Sequence, residues 1–117
     1  MVSDMIKKIR NSFKYSSNGL KATFDRDYSF RLEIYALPFL LLLLAFLPAS
    51  PFRKILMFAA YLLVPCLELL NSAIEKLADR ITTEHDAAIG FVKDAASAAV
   101  MLCFVFVVII WIGCLWF

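Results

Sequence analysis

Hydrophobic positions along the chain form three long runs, at residues 34–49, 55–74 and 95–117. A helix of about 20 apolar residues crosses the hydrocarbon core of a bilayer, which is roughly 30 Å thick. The third run has no charged residue, whereas the second contains Glu68 and Asn71. The pattern therefore predicts an all-α integral membrane protein with one membrane domain. Its predicted parts are a surface segment 1–33, transmembrane helices 34–51, 55–75 and 95–117, and a polar cytoplasmic loop 76–94.

The segment before the first run has an amphipathic pattern. At about 100° per residue, its apolar residues share one arc of a helix and most of its basic residues point elsewhere. The residues of this arc are Val2, Met5, Ile6, Ile9, Phe13, Leu20 and Phe24. The pattern predicts a helix in the membrane surface, which the stretch 16–19 could interrupt, and a soluble helix on a partner protein is the alternative. Scattered basic residues without an apolar core exclude a signal peptide.

Composition and charge support a membrane location. Hydrophobic residues make up 62% of the chain, whereas about 45–50% is typical of soluble domains. Seven of the twelve basic residues lie in 1–33, so the positive-inside rule places the N-terminus in the cytoplasm. In this topology Arg53 and Lys54 face outward, against the rule. A net charge of +2 is too small to indicate nucleic acid, and the basic residues near the bilayer fit anionic lipid headgroups.

One face of the second predicted span is polar. Spacings of three, four and seven residues place five polar side chains within about 100° on a helix. They are Glu68, Asn71, Ser72, Glu75 and Asp79. Glu68 would lie roughly 10 Å below the membrane surface, where a carboxylate is costly and suits proton transfer. Interhelical hydrogen bonding is the alternative role for Asn71 and Ser72, and a solvated helix end is the alternative for Glu75 and Asp79.

Further polar residues stand at the start of the third run. Lys93 and Ser97 lie four residues apart on one helical face. Lys93 could bind phosphate as a point charge or anchor the helix at the membrane surface. His85 is the only histidine, so a metal would have to bind carboxylate oxygens, a donor set that favours magnesium. The three glycines are too dispersed for a phosphate-binding loop, so side chains would have to hold a nucleotide.

Two stretches carry a family resemblance, ELLNSAIEKLADRI from Glu68 and GFVKDAASAAV from Gly90. They closely resemble the prokaryotic diacylglycerol kinases, small three-span enzymes whose signature reads E-x-x-N-S-A-I-E, then D-R, then G-x-x-K-D. Tyr15-Ser16-x-x-Gly19-Leu20 and Phe30-Arg31-x-Glu33 are also similar to the N-terminal part of the family. The resemblance covers nearly the whole chain and keeps the spacing between Glu68 and Lys93.

The resemblance implies a homotrimer in the bacterial inner membrane that uses ATP to phosphorylate diacylglycerol to phosphatidic acid, in active sites shared between subunits. It implies that Glu68 is the general base and that Asn71 orients it. Asp27 and Glu75 would bind the Mg²⁺ that bridges the ATP phosphates. The implied nucleotide site also contains Lys8, Tyr15, Glu84, His85, Asp86, Lys93 and Asp94. The implied lipid site contains Arg31, Glu33, Glu68 and Ser97.

The chain departs from the family pattern at three places. Asp27 stands where a glutamate is usual, and Lys8 stands where an arginine is usual. The loop that resembles E-Y-H reads Glu84-His85-Asp86 here. Two other functions remain open from the sequence: an undecaprenol kinase, which a related branch of the family represents, and a non-catalytic membrane protein with a proton-relay carboxylate. The second leaves Lys93 and Asp94 without a role.

Overall fold

A computed structural model describes residues 1–117 as four α-helices and no strand. The helices are α1 (Val2–Arg26), α2 (Tyr28–Phe46), α3 (Pro51–Ile81) and α4 (Ala87–Trp116). By length and composition, α2, α3 and α4 can each cross a membrane. The predicted all-α class with three membrane spans and a preceding amphipathic helix is therefore confirmed.

Side-chain caps move two of the predicted boundaries. The N–H of Asp27 bonds to the carbonyl of Thr23 at the end of α1, and its carboxylate accepts from the N–H of Phe30 at the start of α2. The helix of the surface segment therefore ends at Arg26, and the helix that contains the first predicted span begins at Tyr28, six residues before 34. The stretch 16–19 stays helical. The predicted loop 76–94 is also mostly helical, because α3 continues to Ile81 and α4 begins after its cap Asp86, leaving only 82–86 between them.

α3 is the central helix of the bundle, and it packs against α2 on one side and α4 on the other. Its buried apolar residues include Met57, Ala60 and Val64, and the small interior also contains Phe30 and Leu44 of α2 and Ala96 and Cys103 of α4. Only 11 of the 117 residues are buried. Lipid tails are as apolar as leucine, so membrane helices can leave large apolar side chains on their outer surface.

α1 stands apart from this bundle. None of its residues is buried, and the molecule measures 49 × 46 × 25 Å, so two of its dimensions exceed the roughly 30 Å of the hydrocarbon core. Arg31 of α2 holds the end of α1, because its guanidinium donates to the carbonyls of Phe24 and Asp25 at 2.9 and 2.7 Å. It also lies over the Phe24 ring, 5.8 Å from the centroid.

Two basic residues contact helix ends at the end of the bundle that lies away from the junction of α1 and α2. Arg53, near the start of α3, donates to the carbonyls of Cys114 and Phe117 at 3.3 and 2.6 Å. Its neighbour Lys54 donates to the carbonyl of Ala45 at 3.4 Å. The last carbonyls of a helix lack partners and carry partial negative charge, so cations are favourable there. These contacts give Arg53 and Lys54 a structural role at the start of α3, independent of the charge rule.

Candidate active site

A cavity of about 820 Å³ lies where the junction of α1 and α2 meets the second half of α3 and the first half of α4. Its polar lining comes from all four elements and includes Asp27, Glu68, Asn71, Ser72, Glu75 and Ser97. On α4 the lining changes to Val100, Met101 and Phe104. The cavity is therefore polar towards the Ile81 end of α3 and apolar towards the middle of the bundle.

Asp27 connects the helix junction to this cavity. One carboxylate oxygen caps α2 by accepting from the N–H of Phe30 at 3.2 Å. The other accepts a short hydrogen bond from the hydroxyl of Ser72 on α3. Aspartate is among the best N-cap residues because its short side chain reaches the first free N–H groups of a helix. The cap therefore gives a structural reason for aspartate at a position where the resemblance predicted glutamate.

Glu68 is the deepest carboxylate of the cavity, with only 7% of its surface exposed. Asp27 and Glu75 lie close enough for their charges to repel it. Asn71 is 9% exposed, and its amide N–H donates to Glu75 at 3.4 Å. Its side-chain oxygen is buried without a partner, and such groups are rare enough to indicate a missing donor. The polar face predicted from spacing alone is thus assembled around one cavity.

Lys93 lies at the rim of the polar face. Its ammonium pairs with the carboxylate of Asp79 at 2.5 Å, and the two side chains remain 38% and 50% exposed. The pair joins the ends of α3 and α4 that flank the 82–86 turn. A lysine so exposed keeps free donors for a phosphate ligand, while the partial solvation makes the pair itself a weak source of stability.

Glu33 approaches the same carboxylates from α2. It lies close enough to Glu68 and Asp27 for their charges to repel its own. One of its carboxylate oxygens is buried without a hydrogen-bond partner. Its main-chain carbonyl accepts from the hydroxyl of Tyr61 on α3 at 2.8 Å. Glu33 therefore has an unpaired carboxylate oxygen that can accept a hydrogen bond near Glu68, although its side chain does not line the cavity.

Several residues predicted for the nucleotide site stay outside this cavity. Lys8 and Tyr15 line a separate shallow groove of about 420 Å³ on α1. Glu84 and His85 are exposed in the turn before α4, and Asp94 is exposed on α4 itself. The carboxylate of Asp86 caps α4 by accepting from the N–H of Ile89 at 3.0 Å. The structure of one chain thus does not bring these residues to Glu68, and their nucleotide contacts stay predictions.

The cavity is also lined by residues outside the predicted catalytic, nucleotide, metal and lipid sets. Ser72 and Asp79 were visible on the polar face of α3, at helical spacing from Glu68. Thr23, Arg26 and Tyr28 line the cavity from the helix junction. Only their nearness to Asp27 in the sequence could have indicated them.

Carboxylate oxygens are the candidate metal ligands of the site. No group of three or more His, Cys, Asp or Glu side chains is arranged to hold a metal by itself. Magnesium, however, is usually held by one or two carboxylates together with substrate phosphates and water. Asp27 and Glu75, which share the cavity and offer only oxygen atoms, fit that partial protein shell.

Comparison with known proteins identifies the family of the chain. A family profile described as prokaryotic diacylglycerol kinase matches residues 14–115. The chain belongs to this family. It is 44% identical over 107 residues to the diacylglycerol kinase of Haemophilus influenzae, covering 92% of this chain and 91% of that one. It is 35% identical over 102 residues to the diacylglycerol kinase of Escherichia coli strain K12, covering 87% and 84% of the two chains.

Other bacterial relatives agree with this assignment. The diacylglycerol kinase of Pseudomonas aeruginosa is 36% identical over 107 residues, covering 91% of this chain and 86% of that one. The family resemblance drawn from the motifs around Glu68 and Lys93 is confirmed. The chain is accordingly a lipid kinase and, with its three long apolar helices, a bacterial membrane protein.

Proposed function

We propose that the protein transfers the γ-phosphoryl group of ATP to the free hydroxyl of diacylglycerol, giving phosphatidic acid and ADP. The observation that carries the proposal is the burial of Glu68 in a cavity with one polar and one apolar end. Lipid chains fit the apolar wall of Met101 and Phe104, and charged phosphates fit the polar end. A water-soluble and a lipid substrate can therefore meet beside one carboxylate.

Glu68 is the general base of this proposal. The lipid hydroxyl oxygen forms a bond to the γ-phosphorus as the bond between that phosphorus and the bridging oxygen of ADP breaks. The hydroxyl proton passes to Glu68. Phosphoryl transfer depends mainly on positioning and on neutralising charge, and a positioned base contributes about 10²–10⁴-fold. Glu68 lies among other carboxylates, so proton uptake also relieves their mutual repulsion.

The neighbouring residues position the reactants. The unpartnered side-chain oxygen of Asn71 accepts from a substrate donor, while its amide N–H keeps Glu75 in place. Lys93 contacts an ATP phosphate as it leaves Asp79. Asp27 and Glu75 would hold magnesium, which would supply positive charge to neutralise the ATP phosphates. Ser97 and Arg31 contact the lipid, and Lys8, Tyr15, Glu84, His85, Asp86 and Asp94 complete the nucleotide site.

The residues of α1 and of the 82–86 turn are placed at the nucleotide by a second subunit in this proposal. In this proposal the protein is the homotrimer that the family resemblance implies, and a neighbouring subunit supplies Lys8 and Tyr15, which do not line the cavity of their own chain. Light scattering in detergent, with the detergent mass subtracted, measures the subunit number. A monomer that is fully active would contradict the shared site.

The N-terminus lies in the cytoplasm of the proposed topology, in the inner membrane. The exposed lysines of α1 make this testable with trypsin. In spheroplasts, trypsin added outside should leave α1 intact, and it should cleave α1 after the membrane is permeabilised. Cleavage in intact spheroplasts would reverse the topology.

The lipid assay tests the activity itself. Purified protein receives radiolabelled ATP and magnesium with either diacylglycerol or undecaprenol in matched micelles. Labelled phosphatidic acid supports the proposal. Preferential labelling of undecaprenol would assign the alternative substrate, and the absence of any labelled lipid would favour a non-catalytic protein.

A further inference from the structure

The one side-chain hydrogen bond that joins the interiors of α2 and α3 comes from Tyr61. Its hydroxyl donates to the main-chain carbonyl of Glu33 at 2.8 Å. The other two bonds lie at the ends of α2, from Lys54 to Ala45 and from Ser72 to the cap residue Asp27. Tyr61 belongs to no motif quoted above and does not line the cavity.

The bond falls on a weak turn of α2. Pro38 lies inside this helix, and a proline removes the N–H that would bond four residues back, to the carbonyl of Ile34. A proline ring also crowds the carbonyl four residues back, so the turn containing Glu33 and Ile34 has one helical hydrogen bond fewer. Backbone groups freed inside a membrane need a partner from a neighbouring helix. The freed group here is the carbonyl of Ile34, and the Tyr61 hydroxyl bonds to the adjacent carbonyl of Glu33, so it holds the same turn to α3 without replacing the lost bond.

The side chain of Glu33 depends on that backbone for its position. One of its carboxylate oxygens is buried and has no hydrogen-bond partner, so no hydrogen bond to that oxygen fixes the position of the side chain. Tyr61 and Glu68 are about two turns apart on the same face of α3. The hydroxyl thus ties Glu33 to the helix that carries the proposed base.

We propose that Tyr61 is a positioning residue, which acts through the Glu33 main chain to hold the Glu33 carboxylate beside Glu68 for the lipid headgroup. The inference rests on the proposed function and on the lipid contact predicted for Glu33. Loss of the hydroxyl therefore weakens lipid use and leaves ATP use unchanged, because no nucleotide residue contacts Tyr61.

The variant Tyr61→Phe removes only this hydroxyl. We expect its KM for diacylglycerol to rise about 3- to 10-fold, the effect of one ordinary hydrogen bond, and its KM for ATP to stay within about twofold. Tyr35→Phe is the matched control, because the Tyr35 side chain is 57% exposed and packs edge-on against Phe24. It should match the unaltered protein.

A double variant tests whether Tyr61 acts through Glu33. If it does, Tyr61→Phe combined with Glu33→Gln has the same lipid KM as Glu33→Gln alone. Additive effects, an unchanged lipid KM in Tyr61→Phe, or equal rises in both KM values with a lower Tm would each overturn the inference. An unaltered protein that phosphorylates no lipid would overturn the proposed function as well, so the two failures are distinguishable.

Discussion

The hydroxyl of Ser72 donates a hydrogen bond to the carboxylate of Asp27, which joins the polar face of α3 to the junction between α1 and α2. The same carboxylate caps α2 through the N–H of Phe30. One short side chain thus fixes a helix boundary and lines the cavity of Glu68. Its structural and proposed metal-binding roles can be separated by substitution.

Asp27→Asn should keep the cap and lose the charge. Asparagine caps helices about as well as aspartate, so Tm should stay unchanged while the magnesium concentration for half-maximal activity rises at least about tenfold. Asp27→Glu should keep the charge and lose the cap. Activity should then be retained, and the free energy of unfolding should fall by about 1 kcal/mol. Magnesium titrations and thermal unfolding in detergent measure the two effects. An unchanged magnesium requirement in Asp27→Asn would remove this residue from the metal site.

Glu68→Gln should abolish turnover while the protein still folds. The amide has nearly the same shape but cannot accept the hydroxyl proton, so we expect kcat to fall by at least about 100-fold. The measurement is phosphatidic acid formation at saturating ATP and lipid. Asp25→Asn is the control and should remain active, because this exposed carboxylate lines neither the cavity nor the groove of Lys8 and Tyr15. Near-normal turnover of Glu68→Gln would assign the base elsewhere.

Lys93→Gln should weaken ATP binding more than it weakens the fold. The pair with Asp79 is partly solvated, so its loss should change stability by less than about 1 kcal/mol. A lost charge-assisted contact with phosphate should raise the KM for ATP about tenfold or more. Asp79→Asn separates the two roles, because it breaks the pair and keeps the ammonium. If Asp79→Asn raises the KM for ATP as much as Lys93→Gln does, Lys93 acts only through the pair.

Arg53→Gln should reduce stability and leave the chemistry intact. Arg53 donates to two carbonyls near the end of α4, and the loss of both bonds should lower the free energy of unfolding by about 1–2 kcal/mol. Thermal unfolding in detergent measures this, and kcat should not change because Arg53 lies outside the cavity. Arg53→Lys is informative, since an ammonium lacks the fork that reaches two acceptors. If the unaltered protein, Arg53→Gln and Arg53→Lys were equally stable, the two carbonyls would be satisfied by water rather than by Arg53.

Much of the fold and of the site could be predicted because helical geometry is local. The apolar runs gave the spans, and the spacing from Glu68 to Asp79 gave the polar face before any contact was known. The boundary at Asp27 could not be located, since a cap depends on which side chain turns back to a free N–H. The bonds from Ser72 to Asp27 and from Tyr61 to Glu33 join residues distant in sequence, so they depend on how α2 and α3 pack.

The bonds from Arg53 and Lys54 to the ends of α4 and α2 also bear on how the protein accommodates its bilayer. These bonds join the start of α3 to the ends of α2 and α4, so all three spans are linked at this end of the bundle. The proposed metal ligand Glu75 lies roughly 33 Å further along α3. A lipid layer thicker or thinner than the spans must be accommodated by tilt or deformation. With one end fastened, that adjustment falls on the Glu75 end, so turnover should vary with the acyl-chain length of the host bilayer.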